Sequence, residues 1–414
     1  MFFKLLKDAL KVKNVRNKIL FTIFIIFVFR VGTHVTVPGI NAESLKQLSD
    51  LPFLNMLNLV SGNAMNNFSI FSMGVSPYIT ASIIVQLLQM DIYPKFVEWG
   101  KQGEVGRRKL NQATRYITLV LAFVQSIGIT ASFNTLSSIS LVKTPNVSTY
   151  LLIGTILTAG SIIVTWLGEQ ITDKGFGNGV SMIIFSGIIA SIPKMFSTIY
   201  EDFFVNVRSG ELTRSYIIVA LLIVVGLAIV FFTTFVQQAE YQIPIQYTKL
   251  VQGAPTSSYL PLKVNPAGVI PVIFASSITT IPSTILPFFS KVTWLSHLQG
   301  LLSYNTPSGM ITYAILIILF SFFYTFVQVN PEKTAENLQK NGSYIPSVRP
   351  GRETEKYMSS LLKRLATIGA VFLAFISLAP IAAQQFMHLT SSIALGGTSL
   401  LILISTGIEG MKQL

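Results

Sequence analysis

Long apolar runs bounded by polar loops recur along the whole chain. A spanning helix needs about 20 mostly apolar residues to cross about 30 Å of hydrocarbon. Ten segments approach that length, at 19–37, 75–92, 116–133, 150–169, 180–198, 215–236, 267–289, 309–329, 364–384 and 392–410. Leu, Ile, Val and Phe fill them, with few ionisable groups inside. A membrane β-barrel would show alternating segments of about ten residues, a pattern these runs do not follow. The expected fold is an all-α integral membrane protein with ten transmembrane helices. Two features interrupt that regularity. Residues 53–73 are apolar but too short and too broken to span. Backbone of that kind at membrane depth persists only when buried in protein or lining a cavity; otherwise the segment is an external loop with a surface helix. Gly74, Pro77, Pro266, Gly268, Pro271, Pro282 and Pro287 lie inside or beside spans. They are common in membrane helices generally, and they also mark helices broken around a path.

Residues 1–18 are basic, with Phe2, Leu5, Leu6, Ala9 and Leu10 at helical spacing and Lys4, Lys7 and Lys11 opposite. That pattern predicts an amphipathic surface helix leading into the first span. The apolar core Ile19–Phe29 is only 11 residues, which also fits a secretory signal peptide. No A-x-A-like cleavage site follows, and Arg30 and His34 interrupt the flank, so the segment is expected to stay as the first helix.

Composition sharpens this picture. The 414-residue chain is 51% hydrophobic and 11% charged, with no Cys and a net charge of +13; its mean hydropathy is +0.60. Soluble domains are roughly a quarter charged. These figures exclude intrinsic disorder, a disulfide scaffold and any cysteine-ligated metal or redox site. With the N-terminus in the cytoplasm, segments 1–18, 91–115, 237–266 and 330–364 with Lys174 and Lys412 hold 23 of the 30 Lys and Arg. The positive-inside rule then puts both ends in the cytoplasm. The basic charge needs no nucleic-acid partner. Five spans per half give the halves opposite orientations, which permits an inverted repeat.

Catalytic patterns are missing. No H-E-x-x-H, G-x-S-x-G or Walker A stretch occurs, and His34, His297 and His388 lie far apart. GFGNG at 175–179 lacks the Lys-Ser/Thr of a phosphate loop and reads as a flexible turn. Glu169, Asp173 and Glu409 sit near helix ends, whereas a proton-coupled transporter would place a carboxylate at mid-span. No catalytic residue, metal site or cofactor is expected, and any energy source would come from a partner. A secondary transporter and a membrane-embedded hydrolase are the rival classes; both need polar sites that the spans do not clearly offer. The long polar loops 237–266 and 330–364 read either as protrusions toward a large soluble partner or as solvated linkers.

Eight stretches carry a family resemblance, in order along the chain. They are SPYITASIIVQLL (76–88), GEVGRRKLNQATRY (103–116), GEQITDKGFGNGVSMIIF (168–185), IPIQY (243–247), NPAGVIPVIFASSI (265–278), NPEKTAENLQKNG (330–342), RPG (349–351) and LGGTSLLI (395–402). Together they resemble SecY, the central subunit of the bacterial Sec protein-conducting channel. The resemblance implies ten helices in two inverted halves of five, 19–198 and 199–414, that open like a clamshell. It implies a ring of six apolar pore residues: Val75, Ile79, Ile184, Ile188, Ile273 and Ile402. Residues 53–73 would be the plug that closes the pore from outside. Thr80, Gln125 and Ser277 would be polar positions at a lateral gate. Loops 237–266 and 330–364 would dock the ribosome or the motor ATPase SecA, with Arg349, Arg107, Arg108 and Lys109 at docking positions. SecE and SecG are the implied companions, with signal sequences and translocating polypeptide as substrates, in a bacterial plasma membrane. Such a channel makes and breaks no covalent bond and is not an enzyme. An accessory channel of the same family, for a narrow substrate set, is the nearest alternative. Two departures are visible: the tip after IPIQY carries only Lys249, where many members are basic, and the sequence stops at Leu414, where members usually carry a longer tail.

Overall fold

The computed structural model describes residues 11–41, 58, 61–90, 92–136, 141–205, 212–247, 257–285, 306–387 and 396–413. Its helices are α1 (Lys13–Gly32), α2 (Ser76–Leu88), α3 (Pro94–Lys101), α4 (Gly103–Leu136), α5 (Val147–Lys174), α6 (Gly179–Tyr200) and α7 (Leu212–Gln238). After a β-hairpin come α8 (Ile270–Ile285), α9 (Pro307–Gln328), α10 (Pro331–Lys340), α11 (Arg352–Met387) and α12 (Gly396–Gln413). A helix thus lies at each of the ten apolar runs. Among the described residues, six helical stretches are long and apolar enough to cross a membrane: Gly103–Asn134, Val147–Lys174, Gly179–Val205, Ser215–Gln238, Pro307–Lys340 and Arg352–Ala383. Most of the expected N-terminal amphipathic helix, residues 1–10, lies outside the described residues.

Local chemistry starts several helices. Asn178, Thr306 and Asn330 stand at N-caps and accept from the backbone N–H three residues on, at 3.3, 3.1 and 3.1 Å. Pro307 and Pro331 follow two of these caps, where a missing N–H costs nothing. Once such helices form, lipid gives no hydrophobic drive between them, so close packing of small residues holds them together. A Cβ on Gly179 would fall 1.8 Å from the carbonyl oxygen of Gly168. The turn at 175–179 is therefore a packed crossing and not the flexible turn expected. Thr22 Oγ1 accepts from Phe176 N at 3.0 Å, and Thr172 Oγ1 accepts from Gly179 N at 2.9 Å. These bonds pin the turn to α1 and α5.

The fold is not wholly helical. Strands β1 (Glu240–Tyr247), β2 (Ser257–Lys263) and β3 (Ser343–Tyr344) form an antiparallel sheet in the order β2-β1-β3. The register runs from Glu240 opposite Lys263 to Gln246 opposite Ser257, and Gln246 also faces Tyr344. In β1, Ile243 and Ile245 are buried and their neighbours exposed. That alternation buries one sheet face. Ile243 and Leu262 pack with Ile345, Met358, Leu362 and Leu365 in one core. The described parts of the two long loops thus share one sheet and one core, so they are not simple solvated linkers.

Lys412 Nζ lies 2.9 Å from Glu240 Oε1 and ties α12 to β1. The ammonium holds the Glu240 carboxyl below its ordinary value of about 4.5. A depressed carboxyl contributes stability above its ordinary pKa and loses it as pH falls through the depressed value. Both side chains are partly exposed, so the contribution is at most a few tenths of a kcal/mol. We expect Lys412→Gln to melt slightly below the wild type near neutral pH, and the two melting curves to converge as pH drops below about 4.5. A gap that persists in acid would remove this assignment.

α7 is the outward extreme of the fold. Ile217, Leu221, Val224, Leu227, Phe231 and Phe235 are all exposed on it. A helix this apolar and this uncovered belongs in hydrocarbon or against another apolar helix.

Candidate functional site

The six expected pore residues come from four places in the chain. Val75 precedes α2 with φ −93° and ψ 0°. Ile79 N donates to Val75 O at 3.0 Å, so the two share one face, as a spacing of four demands. Ile184 and Ile188 sit one turn apart on α6, Ile273 on the first turn of α8, and Ile402 on α12. All six are at most 8% exposed, and all belong to a single buried apolar cluster. No polar partner is needed for any of them, and their side chains offer dispersion contacts but no hydrogen bond.

The described part of the 53–73 segment lies against that cluster. Asn58 and residues 61–73 are placed, whereas 53–57 and 59–60 lie outside the described residues. A 3-10 turn, Ala64–Asn67, carries buried Ala64 and Met65. Ala64 and Phe71 join the cluster of the six residues. Met65, Phe68 and Met73 pack with Ile129, Phe133, Ile153 and Leu157 of α4 and α5. These residues are interior, so the external-loop alternative fails for them. Several polar groups of the segment are paired, as burial requires, and Asn66 N donates to Asn58 Oδ1 at 3.0 Å. Asn58 Nδ2 donates to Asn66 Oδ1 at 2.6 Å, Ser72 Oγ donates to Ala64 O at 3.1 Å, and Ser161 Oγ donates to Gly74 O at 3.0 Å.

Two glycines set how closely the segment approaches α6. A Cβ on Gly187 would lie 2.3 Å from the Gly62 Cα. Gly62 has φ +68°, a region L side chains rarely adopt. Gly187 stands between Ile184 and Ile188. The segment's backbone therefore rests directly on the turn that carries two of the six residues. Phe71 stacks on Phe29 of α1, with ring centroids 5.9 Å apart.

The three expected gate residues lie on helices that pack together, since α8 contacts both α2 and α4. Thr80 and Ser277 are buried, and Gln125 is 7% exposed. The Thr80 hydroxyl donates to Ser76 O at 3.2 Å within its own helix, the ordinary use of a helical threonine. Ser277 Oγ is buried without a hydrogen-bond partner among the described residues. An orphaned buried hydroxyl is a standing cost, one that Ser277 shares with Thr233, Ser321 and Ser405, among others.

The docking candidates are exposed. Arg349 sits in a turn where Ser347 has φ +68° and Thr354 Oγ1 donates to Arg349 O at 2.9 Å. The backbone is held, while the guanidinium forms no ion pair among the described residues. Arg107, Arg108 and Lys109 lie exposed on α4. Arg108 faces Glu104 at 3.9 Å, and Lys109 donates to Gln102 Oε1 at 3.2 Å with its ammonium 6.0 Å from the Trp99 ring centre. No hydrogen bond or ion pair among the described residues joins them to Arg349.

Two arginines escaped the residue-by-residue reading. Arg115 makes a fork to Glu169, with Nε–Oε1 3.1 Å and Nη2–Oε2 2.6 Å, joining α4 to α5. The pairing crosses 54 residues, which no local pattern reveals. Arg30 is half-buried at the end of α1; its Nη1 donates to Gly62 O at 2.8 Å and its Nη2 to Ser186 O at 2.5 Å. The available signal was one arginine closing an otherwise uncharged span.

Known proteins share both sequence and fold. The SecY family profile matches residues 69–411. The protein translocase subunit SecY of Streptococcus sanguinis is 71% identical over 418 residues, covering 100% of this chain and 96% of that one. The SecY subunit of Bacillus subtilis is 50% identical over 416 residues with the same coverage. A structure of SecY whose plug domain stabilizes the closed state of the translocation channel matches with TM-score 0.68 at 16% identity, over 96% of this chain and 91% of that one. Sec61 in the canine ribosome-channel complex matches with TM-score 0.63 at 16% identity, over 96% and 91%. With 83% of its length inside the profile's limits and a relative at 71% identity, the chain belongs to the SecY family.

Proposed function

We propose that this chain is the protein-conducting channel of a Sec translocase, passing unfolded polypeptide across a membrane and releasing apolar segments sideways into lipid. It is a channel subunit and not an enzyme. The observation that carries the finer reading is the gathering of six aliphatic side chains from α2, α6, α8, α12 and the residue before α2 into one buried cluster, with Gly62 of segment 61–73 against Gly187, on the turn between two of them. An apolar constriction excludes ions by dewetting and presents no fixed hydrogen-bond pattern to select among passing residues. Val75, Ile79, Ile184, Ile188, Ile273 and Ile402 are read as that ring, and 53–73 as the plug. Thr80, Gln125 and Ser277 line the gate, with Ser277's orphaned hydroxyl available to an incoming chain. The ten runs form two inverted halves, 19–198 and 199–414, in the plasma membrane of a bacterium with both ends cytoplasmic.

The sheet protrusion with Arg349, and the exposed Arg107, Arg108 and Lys109, form the docking face. Sec61 in the canine structure is part of a ribosome-channel complex, and a ribosome is proposed as one partner here. SecA, SecE and SecG complete the set. An always-charged planar fork such as Arg349 suits carboxylate or phosphate on either large partner.

The chain has no cysteine, so a single Ile79→Cys is a unique probe. Paired with single-cysteine precursors stalled at increasing lengths, it is expected to form disulfides at precursor positions that shift with stall length. If residue 79 forms no crosslink while a control cysteine in loop 330–364 does, precursors dock without threading this ring.

A further inference from the structure

Arg30 presents a problem of charge. It is half-buried, and among the described residues no Asp or Glu lies within ion-pair distance of it. Its guanidinium is spent instead on two backbone carbonyls, Gly62 O at 2.8 Å and Ser186 O at 2.5 Å. These acceptors belong to different elements: the segment read as the plug, and α6. Arginine's planar fork presents donors from two separate nitrogens, one for each acceptor, whereas the three donors of a lysine all leave a single nitrogen on a flexible stem.

The surroundings are built for this bridge. Gly62 turns its carbonyl toward Arg30 at φ +68°, and a Cβ there would meet the Phe29 ring at 2.9 Å. Gly187, next to the second acceptor, lets α6 meet the Gly62 backbone directly. Phe29 and Phe71 stack beside the bridge. The carbonyl of Ser186 lies between Ile184 and Ile188, so one end of the fork is fixed to the turn that carries two ring residues. The side chain of Arg30 is thus the one charged link, among the described residues, that joins α1, segment 61–73 and α6 at a single point.

We propose that Arg30 is a positioning residue that latches segment 61–67 to α6, so that separation of α1 from α6 releases the segment. The inference rests on reading that segment as the plug. When α6 moves with the ring, the fork loses Ser186 O, and the remaining bond to Gly62 O no longer fixes the segment against the pore. Latch and ring then respond to one displacement.

The test uses Ser61, which is 1% exposed with an unpartnered hydroxyl, as a reporter through Ser61→Cys. In proteoliposomes, a membrane-impermeant maleimide labels Ser61→Cys slowly when the segment is seated. Charge-assisted hydrogen bonds are among the stronger ones, so Arg30→Met is expected to raise the labelling rate roughly tenfold or more. Arg30→Lys should fall between wild type and Arg30→Met. A second buried reporter, Ser377→Cys on α11 (Ser377 is 0% exposed), should keep its rate. Resting ion conductance is measured on the same vesicles. Faster labelling with higher conductance supports both latch and plug. Faster labelling at unchanged conductance supports the latch and overturns the sealing role of the segment. Unchanged labelling at Ser61→Cys, or an equal rise at Ser377→Cys, overturns the latch, the latter because it reports general loosening. Should Arg30→Met fail to insert, Arg30→Lys and Arg30→Gln carry the same comparison.

Discussion

Ile273→Asn raises the resting ion leak of vesicles containing this channel, by roughly tenfold or more. Ile273 is 8% exposed within the cluster that holds all six proposed ring residues. An asparagine of similar size brings a carboxamide with two donors and an acceptor into a site that offers it no partner. Leaving those groups unsatisfied costs about 1–3 kcal/mol in the closed state. Hydration removes that penalty, and a hydrated waist conducts. The substitution therefore weakens closure twice, by admitting water and by favouring the state that holds it. Ile79→Asn should act in the same sense from α2. The check is conductance in reconstituted bilayers beside translocation of a precursor with a weakened signal sequence, which should improve. Unchanged conductance in both variants would remove these residues from the ring.

Gly187→Ala gives the second large effect, and it separates closure from stability. Alanine is the better helix former by about 1 kcal/mol, so α6 itself gains. The new methyl, however, would stand 2.3 Å from the Gly62 Cα, with backbone on both sides. Real Cβ contacts do not approach that distance, so segment 61–67 must lift from α6. The expected outcome is a leak at least as large as that of Ile273→Asn with thermal stability in detergent little changed. Gly226→Ala is the matched control: a Cβ there meets nothing within 4 Å, and its conductance should equal the wild type's. A silent Gly187→Ala would mean that this backbone contact does not hold the pore shut.

Both predictions concern contacts between distant parts of the chain, and this is where sequence reading reached its limit. The apolar runs placed a helix near each of ten segments because a period and a length are local properties. The caps at Asn178, Thr306 and Asn330 are local too. The strands were missed although EYQIPIQY alternates, because eight residues between two long apolar runs look like any polar loop until β2 and β3 supply partners. The sheet's third strand comes from the other long loop, and no window contains both. GFGNG read as flexible because its glycines permit many conformations; packing on Thr22 and Gly168 selects one.

The sequence by itself determined the solvent in which this protein folds, the helical runs and, through eight motifs, the family and the six candidate ring residues. Those are properties of composition, period and local order. Tertiary structure alone decided that the six residues meet in one cluster, that 61–73 is interior, and that the two long polar loops share a sheet. It alone gave Arg30 its two carbonyls, 32 and 156 residues away. The physical reason is that hydrogen bonds and van der Waals contacts act over a few ångströms, while the chain brings their partners together from across its whole length.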